Sequence, residues 1–204
     1  MEKNRNVEKE IVDAARRVFH VKGYKESTMR DIASEANINM AMLHYYFRSK
    51  DNLFFIVFDE AFRLLYGKIA TYVADSSMEI FDKIRAITKE YISFFNSQPY
   101  LPPFVVGEII RSPDKIGKRL QDIISPTDMF RIFSDQLQKE YEKGRIKKIS
   151  ALTLILNIVS LCVFPAISKA VLQEVLSFDD VSMNMVLKLR EHEVADFIIN
   201  AIKT

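Results

Sequence analysis

The sequence has little of three residue types that shape many protein classes: it contains one Cys, five Gly and six Pro among 204 residues. An internal disulfide or a thiolate metal site needs more than one Cys, so the single Cys162 excludes both. So few Gly and Pro residues cannot supply the turns of a many-stranded fold, whereas 49% hydrophobic residues suffice for a sizeable core. We therefore expect a mostly helical globular protein.

The chain also lacks an apolar leader and a large net charge. Its first residues, MEKNRNVEKE, contain no hydrophobic run of the kind that a secretory signal needs, so a cytoplasmic location is expected. The net charge of +2 is too small to indicate a nucleic-acid partner by itself. However, the first 50 residues hold ten Lys and Arg against seven Asp and Glu, while the remainder hold nineteen against twenty. The basic excess therefore lies entirely in the N-terminal quarter.

Apolar residues recur with the helical period along the chain, and no stretch alternates convincingly with the period of a strand. Caps such as Thr28, Asn39 and Ser49, and a stop at Gly23, divide the chain into about nine to ten helices. The predicted spans are 7–20, 29–36, 40–47, 50–66 or beyond, 77–96, 104–111, 113–124, 126–143, 150–174 and 180–202. The fold class is all-α. A three-helix module in residues 1–50 and a connecting helix over 50–73 precede a larger helical domain, which is assigned to residues 51–204.

The second and third predicted helices, TMRDIASEA and NMAMLHYYF, are short and are joined by a tight turn at Asn37 and Ile38. This is the arrangement of a helix-turn-helix, which places its second helix in the major groove of DNA. Leu43 and Phe47 have the spacing to face inward, and Tyr46 is also expected in the core. The residues left facing outward are Asn39, Met40, Ala41, Met42, His44 and Tyr45. In the alternative interpretation, the aromatic residues are only a core cluster and the basic excess is a solvated surface.

The stretch AARRVFHVKGYKESTMRDIASEANINMAMLHYYFRSKDNLF resembles the tetracycline-repressor (TetR) family of bacterial transcriptional regulators. The match covers roughly residues 11–53 and includes the G-Y pair, T-x-x-D-I-A, and the H-Y-Y-F-x-S-K-D-x-L segment. The sequence departs from the family pattern at Asn37, which replaces a usual Gly, and at Asn39, which replaces a Ser or Thr cap. It also departs at Ala41, in place of a common Gly, and at His44, in place of a common Tyr.

The resemblance implies which residues contact DNA. Thr28 and Lys50 would hold phosphates, with His44 and Tyr45 near the backbone as well. Amide groups at the starts of the second and fourth helices suit anionic oxygens, in agreement with this assignment. Base reading would fall to residues 39–42, namely Asn39, Met40, Ala41 and Met42. Only the first of these has strong hydrogen-bonding capacity, so part of the specificity would come from apolar contacts and DNA shape.

Residues 149–168 contain no charged side chain over twenty positions, which is long enough to cross a bilayer. A buried or dimer-forming helix is the favoured interpretation, because Pro165 interrupts the run and weakly polar residues recur along one face. The predicted dimer interface joins this helix to the last one in a four-helix bundle with a second copy. It consists of Leu152, Leu156, Val159, Val163, Ala166, Ala170, Val194, Phe197 and Ala201. The family resemblance likewise implies a homodimer.

An aromatic-rich stretch lies between the N-terminal module and this interface. Its residues are either ordinary core or, as the resemblance implies, the wall of an apolar ligand cavity between helices. The candidate ligand-binding residues are Tyr91, Phe94, Phe95, Phe104, Met129 and Phe133, with Thr153 and Asn157 as polar groups that would orient the ligand.

Little in the sequence supports catalysis, so we expect no enzyme activity, cofactor or metal. His20, His44 and His192 lie far apart, and the pair His192 and Asp196 is better explained as a solvated face. The sequence predicts a ligand-responsive regulator, most simply a repressor, that binds a palindromic DNA operator as a homodimer and is released by a small apolar effector. Two alternatives are a helical carrier of an apolar molecule that does not bind an operator, and a membrane-associated protein.

Overall fold

The computed structural model describes residues 2–124 and 126–204 and consists of helices joined by short connections. The described residues form eleven helices: α1 Glu2–Glu26, α2 Met29–Glu35, α3 Met40–Tyr46, α4 Lys50–Ala74, α5 Ile80–Ser97, α6 Leu101–Arg111, α7 Pro113–Ile124, α8 Pro126–Glu142, α9 Ala151–Ile167, α10 Lys169–Leu176 and α11 Asp180–Ile202. Within these residues the only extended pairing is an isolated antiparallel bridge between Ile146 and Lys203. The all-α class is confirmed.

α2 and α3 begin where their caps predict, whereas α1 extends over Glu2–Glu26, beyond the predicted span of 7–20 at both ends. Gly23 has φ 71° and interrupts the helical backbone of α1, as a stop requires. The Thr28 hydroxyl and the Asp31 carboxylate form a reciprocal capping box at the start of α2. Asn37 adopts φ 53° between α2 and α3, so it takes the left-handed conformation that the family usually gives to Gly.

α4 connects the N-terminal module to the rest of the chain. It is 25 residues long and buries Phe54, Phe58 and Phe62 along one side. It packs on α1 of the module and on α5, α7 and α8 of the larger half. A single rigid helix therefore belongs to the cores of both halves of the protein. The predicted division at residue 50 stays a prediction.

α6 begins at Leu101, three residues before the predicted start at Phe104. Pro102 and Pro103 fit in its first turn, because the amide groups of a helical first turn have no intrahelical acceptor to lose. α5 also differs from the prediction, since it begins at Ile80 rather than at Ser77. Ser125, the predicted cap of the segment that starts at 126, lies outside the described residues.

The predicted helix over 150–174 is two helices, which is why the structure has more helices than predicted. Pro165 has no amide hydrogen, so the carbonyl of Leu161 loses its helical partner. Arg190 of α11 donates a hydrogen bond of 2.8 Å to that carbonyl. α9 then ends at Ile167, and α10 leaves at a bend of 62°.

The membrane interpretation rested on this apolar region. Among the described residues, no single helix is long and apolar enough to cross a membrane. α9 and α10 would pass on length and composition only if taken together across their bend.

The hydrogen bond between Arg190 and the Leu161 carbonyl can be tested by a double-mutant cycle. Arg190→Met should lower the free energy of unfolding by about 1–2 kcal/mol, because it leaves that carbonyl without a donor. Pro165→Ala restores the amide hydrogen, so Arg190→Met should cost less in that background. Urea unfolding at one protein concentration measures both losses, and equal losses in the two backgrounds would contradict the assignment.

Candidate nucleic-acid interface and apolar cavity

The outer face of α3 is open to solvent. Tyr45 is 77% exposed, and Asn39, Ala41 and His44 are also exposed. Met40 and Met42 are half-buried, so their side chains present only part of their surface. Leu43 and Phe47 pack in the core beneath, and Tyr46 lies half-buried at its edge, while Ile32 and Ala33 of α2 complete the packing. α3 therefore presents a polar and apolar surface of the size that a recognition helix offers to a groove.

Asn39 caps α3, and this limits how it can read a base. Its Oδ1 accepts a hydrogen bond of 2.8 Å from the amide of Met42. A bidentate contact with adenine needs both the oxygen and the nitrogen of the side chain, and here the cap occupies one lone pair of the oxygen and orients it toward the helix backbone. The Nδ2 group takes no part in the cap and is available to donate to an acceptor atom on the DNA.

Thr28 has the same double role at α2. Its hydroxyl donates to Asp31 Oδ2 at 2.8 Å and accepts from the Asp31 amide at 3.1 Å. A hydrogen bond from Lys22, together with those from Thr28, lowers the pKa of Asp31 to about 2. The carboxylate is therefore ionised and sits at the amide end of α2, where a phosphate was predicted. The structure gives Thr28 a capping role, and its contact with phosphate stays a prediction.

Lys50 connects three segments of the N-terminal module. Its ammonium donates 2.8 Å hydrogen bonds to the carbonyls of Tyr24 and Ser27, at the end of α1 and before α2. The same group lies 4.3 Å from the centre of the Tyr24 ring. The Tyr24 hydroxyl donates a short hydrogen bond to Asp51 in the first turn of α4. Burial and this carboxylate raise the pKa of Tyr24, so the hydroxyl keeps its proton.

This arrangement gives Lys50 a structural role, and its contact with phosphate stays a prediction. The sequence predicts a point charge for a phosphate, whereas the ammonium is held by two backbone carbonyls inside the module. Tyr24 and Asp51 belong to the same junction, and neither was selected as a functional residue. Both stand in the quoted family pattern, in its G-Y pair and its K-D pair, and this was the signal that could have identified them.

The larger half of the protein contains an apolar cavity of about 290 Å³ between α4, α5, α7, α8 and α9. Tyr91, Met129 and Phe133 of the predicted ligand residues line it. The other lining residues are Tyr66, Ile69, Val73, Ile87, Ile124, Phe130, Leu152, Ile155, Ile158 and Val159. The α4 residues were missed because their spacing is that of any core helix, and only the packing of five helices shows which of them border a void.

Five of the predicted ligand residues do not line this cavity. Phe94 and Phe95 pack against neighbouring rings of α4 and α5, and Phe104 lies at the junction of the two halves, 3.8 Å from the Phe54 ring centre. Thr153 and Asn157 are exposed, and the Thr153 hydroxyl lies 2.8 Å from that of Ser150. The expectation that these two would orient a ligand is wrong, because the buried side of α9 carries only apolar side chains.

A second apolar surface lies on the outside of α9 and α11. Leu152 and Leu156 are both 56% exposed, and Phe197 is 66% exposed. Ala170 and Ala201 are also exposed, while Val159, Val163 and Ala166 are half-buried against their own protomer. Phe164 is exposed and was missed by the sequence prediction. The exposed line along α9 therefore runs through 152, 156, 160 and 164 and is rotated from the predicted seam.

Val194 is the one predicted interface residue that is buried within its own protomer and so cannot contact a partner. It is 3% exposed and packs in the core of its own protomer, beside Ile198. The error arose because α11 has apolar residues on two sides, so periodicity alone did not separate the side that packs on α5 and α9 from the outer side.

Comparisons with known proteins agree with these features. Residues 11–57 match the family of bacterial regulatory proteins of the tetR type. The chain is similar to IcaR of Staphylococcus aureus, the negative transcriptional regulator of the biofilm operon icaADBC. The two are 28% identical over 137 residues, which cover 67% of this chain and 70% of IcaR.

Two solved structures share the fold over nearly the whole chain. HlyIIR, a hemolysin II transcriptional regulator, has a TM-score of 0.62 at 21% identity and covers 98% of both chains. FadR of Bacillus subtilis, solved with stearoyl-CoA, has a TM-score of 0.66 at 16% identity and covers 95% of this chain and 98% of FadR. The family resemblance read from the sequence is confirmed: residues 11–57 match the helix-turn-helix domain of the tetR family of bacterial regulatory proteins.

Proposed function

We propose that this chain is a ligand-responsive repressor that acts in the cytoplasm, binds a palindromic operator as a homodimer and leaves it when a small apolar effector fills the cavity. The single observation that carries the proposal is the exposed outer face of α3, held out by a helix-turn-helix whose inner residues are all packed. A carrier of apolar molecules that does not bind DNA would have no use for such a face. IcaR, a negative regulator, supports repression rather than activation.

The operator contacts follow from the exposed groups on α3. The Asn39 amide would donate to a base acceptor, and Met40, Ala41 and Met42 would contact thymine methyl groups or groove walls. His44 and Tyr45 would approach the phosphate backbone. Because few of these groups form hydrogen bonds, we assign part of the specificity to groove shape.

Dimerisation would supply the second half-site. One short helix contacts few bases, whereas two copies set about 34–36 Å apart can read a palindrome across one helical turn. The exposed apolar residues Leu156 and Phe164 of α9, together with Phe197 of α11, form the surface we assign to the partner. A large apolar patch of this kind is unusual on a monomer.

Two helices connect the cavity to the DNA-binding module. α4 lines the cavity with Tyr66, Ile69 and Val73 and begins at Lys50 in the module. α7 contributes Ile124 to the same wall. Its Arg119 pairs with Asp59 of α4 at 2.5 Å, so α7 and α4 are bound together between the two sites.

Filling the cavity would move these helices only if the ligand prefers one arrangement of the protein. The effector would then shift the population between two separations of the paired α3 helices. The stearoyl-CoA in the FadR structure supports an apolar ligand in a protein of this fold.

Selection of bound sequences from random duplex DNA tests the proposal as a whole. We expect a palindrome, and we expect the affinity for it to fall steeply with salt, because phosphate contacts release counterions. Failure to bind duplex DNA at any salt concentration would instead favour the carrier interpretation.

Asn39 should discriminate one base pair. Asn39→Ser keeps a capping oxygen but loses the amide donor, so it should weaken operator binding by about 1 kcal/mol at that pair alone. Asn39→Ala should in addition destabilise α3 by about 1 kcal/mol through loss of the cap. Gel shifts on the operator and on variants at each position measure the effect. Equal loss on random DNA for Asn39→Ser would contradict base reading.

Lys50 should act through the fold of the module. Lys50→Met removes two hydrogen bonds from a charged donor, so it should lower the free energy of unfolding by about 1.5–3 kcal/mol. It should also weaken binding to operator and random DNA alike. Lys25→Met, at an exposed position nearby, is the matched control. Loss of DNA binding without loss of stability would show that Lys50 contacts phosphate directly.

Leu156 should be needed for the dimer. Leu156→Glu places a charge on the exposed line of α9, so sedimentation should show a monomer, and operator affinity should fall sharply. Leu64→Glu makes the same change at an exposed Leu of α4, outside the proposed interface, and should leave the dimer intact. A Leu156→Glu protein that still sediments as a dimer would refute the assigned surface.

A further inference from the structure

The lining of the cavity contains very few polar groups. Apart from the weakly polar sulfur of Met129, its described lining residues are aliphatic or aromatic, and none of them is charged. The hydroxyls of Tyr66 on α4 and Tyr91 on α5 are the hydrogen-bonding groups that these side chains carry. A ligand that fills this space therefore meets one polar position in an otherwise apolar wall.

The two hydroxyls leave one proton without an acceptor. Tyr91 Oη and Tyr66 Oη are 3.3 Å apart, and one donates to the other. Burial raises the pKa of both groups, so each keeps its proton. Within the described chain neither hydroxyl has another hydrogen-bond partner. The hydroxyl that accepts the bond therefore does not donate its own proton to any group. A separation of 3.3 Å also exceeds the usual 2.5–3.0 Å for hydroxyl pairs, so the bond is weak and a ligand atom can compete for it.

We propose that the effector is a neutral, largely apolar molecule with one carbonyl oxygen, which accepts a hydrogen bond from the Tyr66 and Tyr91 hydroxyls. This inference rests on the proposed function, because it names the ligand class of the same cavity. A carboxylate or an ammonium would be buried without a charged partner, which is costly. A pure hydrocarbon would leave the unused proton unsatisfied.

The cavity volume sets the size of the ligand. If each heavy atom takes about 30 Å³, the share of one water in the liquid, then 290 Å³ holds a molecule of roughly ten heavy atoms. Butylbenzene has this size. Butyrophenone differs from it only by a carbonyl group in place of the methylene next to the ring, and phenylbutyrate differs from it only by a carboxylate in place of the terminal methyl group. These three compounds separate hydrocarbon, carbonyl and anion.

The experiment measures the binding of the three compounds to the full chain by titration calorimetry at neutral pH. In the unmodified protein, butylbenzene and butyrophenone should bind, and phenylbutyrate should bind more weakly than butyrophenone. The double variant Tyr66→Phe/Tyr91→Phe removes both hydroxyls and keeps both rings. It should raise the Kd for butyrophenone relative to that for butylbenzene by about three- to ten-fold. Tyr66→Phe alone leaves the Tyr91 proton free for the ligand, so it should change this ratio less. Tyr72→Phe, on α4 but outside the lining, is the matched control and should leave the ratio unchanged.

A spectroscopic measurement on the unmodified protein needs no variant. The carbonyl stretch of bound butyrophenone should lie below its frequency in a hydrocarbon solvent, because a hydrogen bond weakens the C=O bond. A frequency equal to that in hydrocarbon, or a Kd ratio that the double variant does not change, would overturn this inference and leave the apolar cavity of the proposed function standing. Tighter binding of phenylbutyrate than of butyrophenone would overturn it as well. If neither butylbenzene nor butyrophenone binds, the apolar-effector part of the proposed function fails, and this inference fails with it.

Discussion

The DNA-binding module depends on one charged group, the ammonium of Lys50. By donating to the carbonyls of Tyr24 and Ser27, it ties the end of α1 and the start of α2 to the first residue of α4. Hydrogen bonds from a charged donor are stronger than those between neutral groups, so this junction holds the three segments in one arrangement. The position of α3 relative to α4 therefore depends on hydrogen bonds within the module, which form without DNA.

The same junction connects to the larger domain through aromatic rings. Tyr24 packs edge-on against Phe54 of α4 and Phe104 of α6, with ring centres 4.9 and 4.7 Å away. Packed rings transmit displacement because the interior has little free volume to absorb it. A change at the cavity end of α4 would thus reach the module along a continuous solid path. In our proposal this path couples effector binding to operator release.

Local chemistry explains which parts of the fold could be predicted. The caps at Thr28, Asn39 and Ser49 depend on residues within four positions, and the structure contains all three. The break of α9 at Pro165 also has a local cause. The group that binds the released carbonyl could not be predicted, because Arg190 comes from a different helix. The exposure of Thr153 and Asn157 was misjudged for a similar reason, since only neighbouring helices decide which side of α9 is buried.

The sequence by itself determined the helical class, the helix-turn-helix and the resemblance to the TetR family, because each depends on short-range periodicity, capping and motif spacing. Tertiary structure alone decided which residues border the cavity, that Val194 is buried, and that Lys50 donates hydrogen bonds to backbone carbonyls. These depend on the distances between segments that are far apart in the chain. The pairing of Tyr66 with Tyr91 belongs to the same group, since it exists only where α4 and α5 pack side by side.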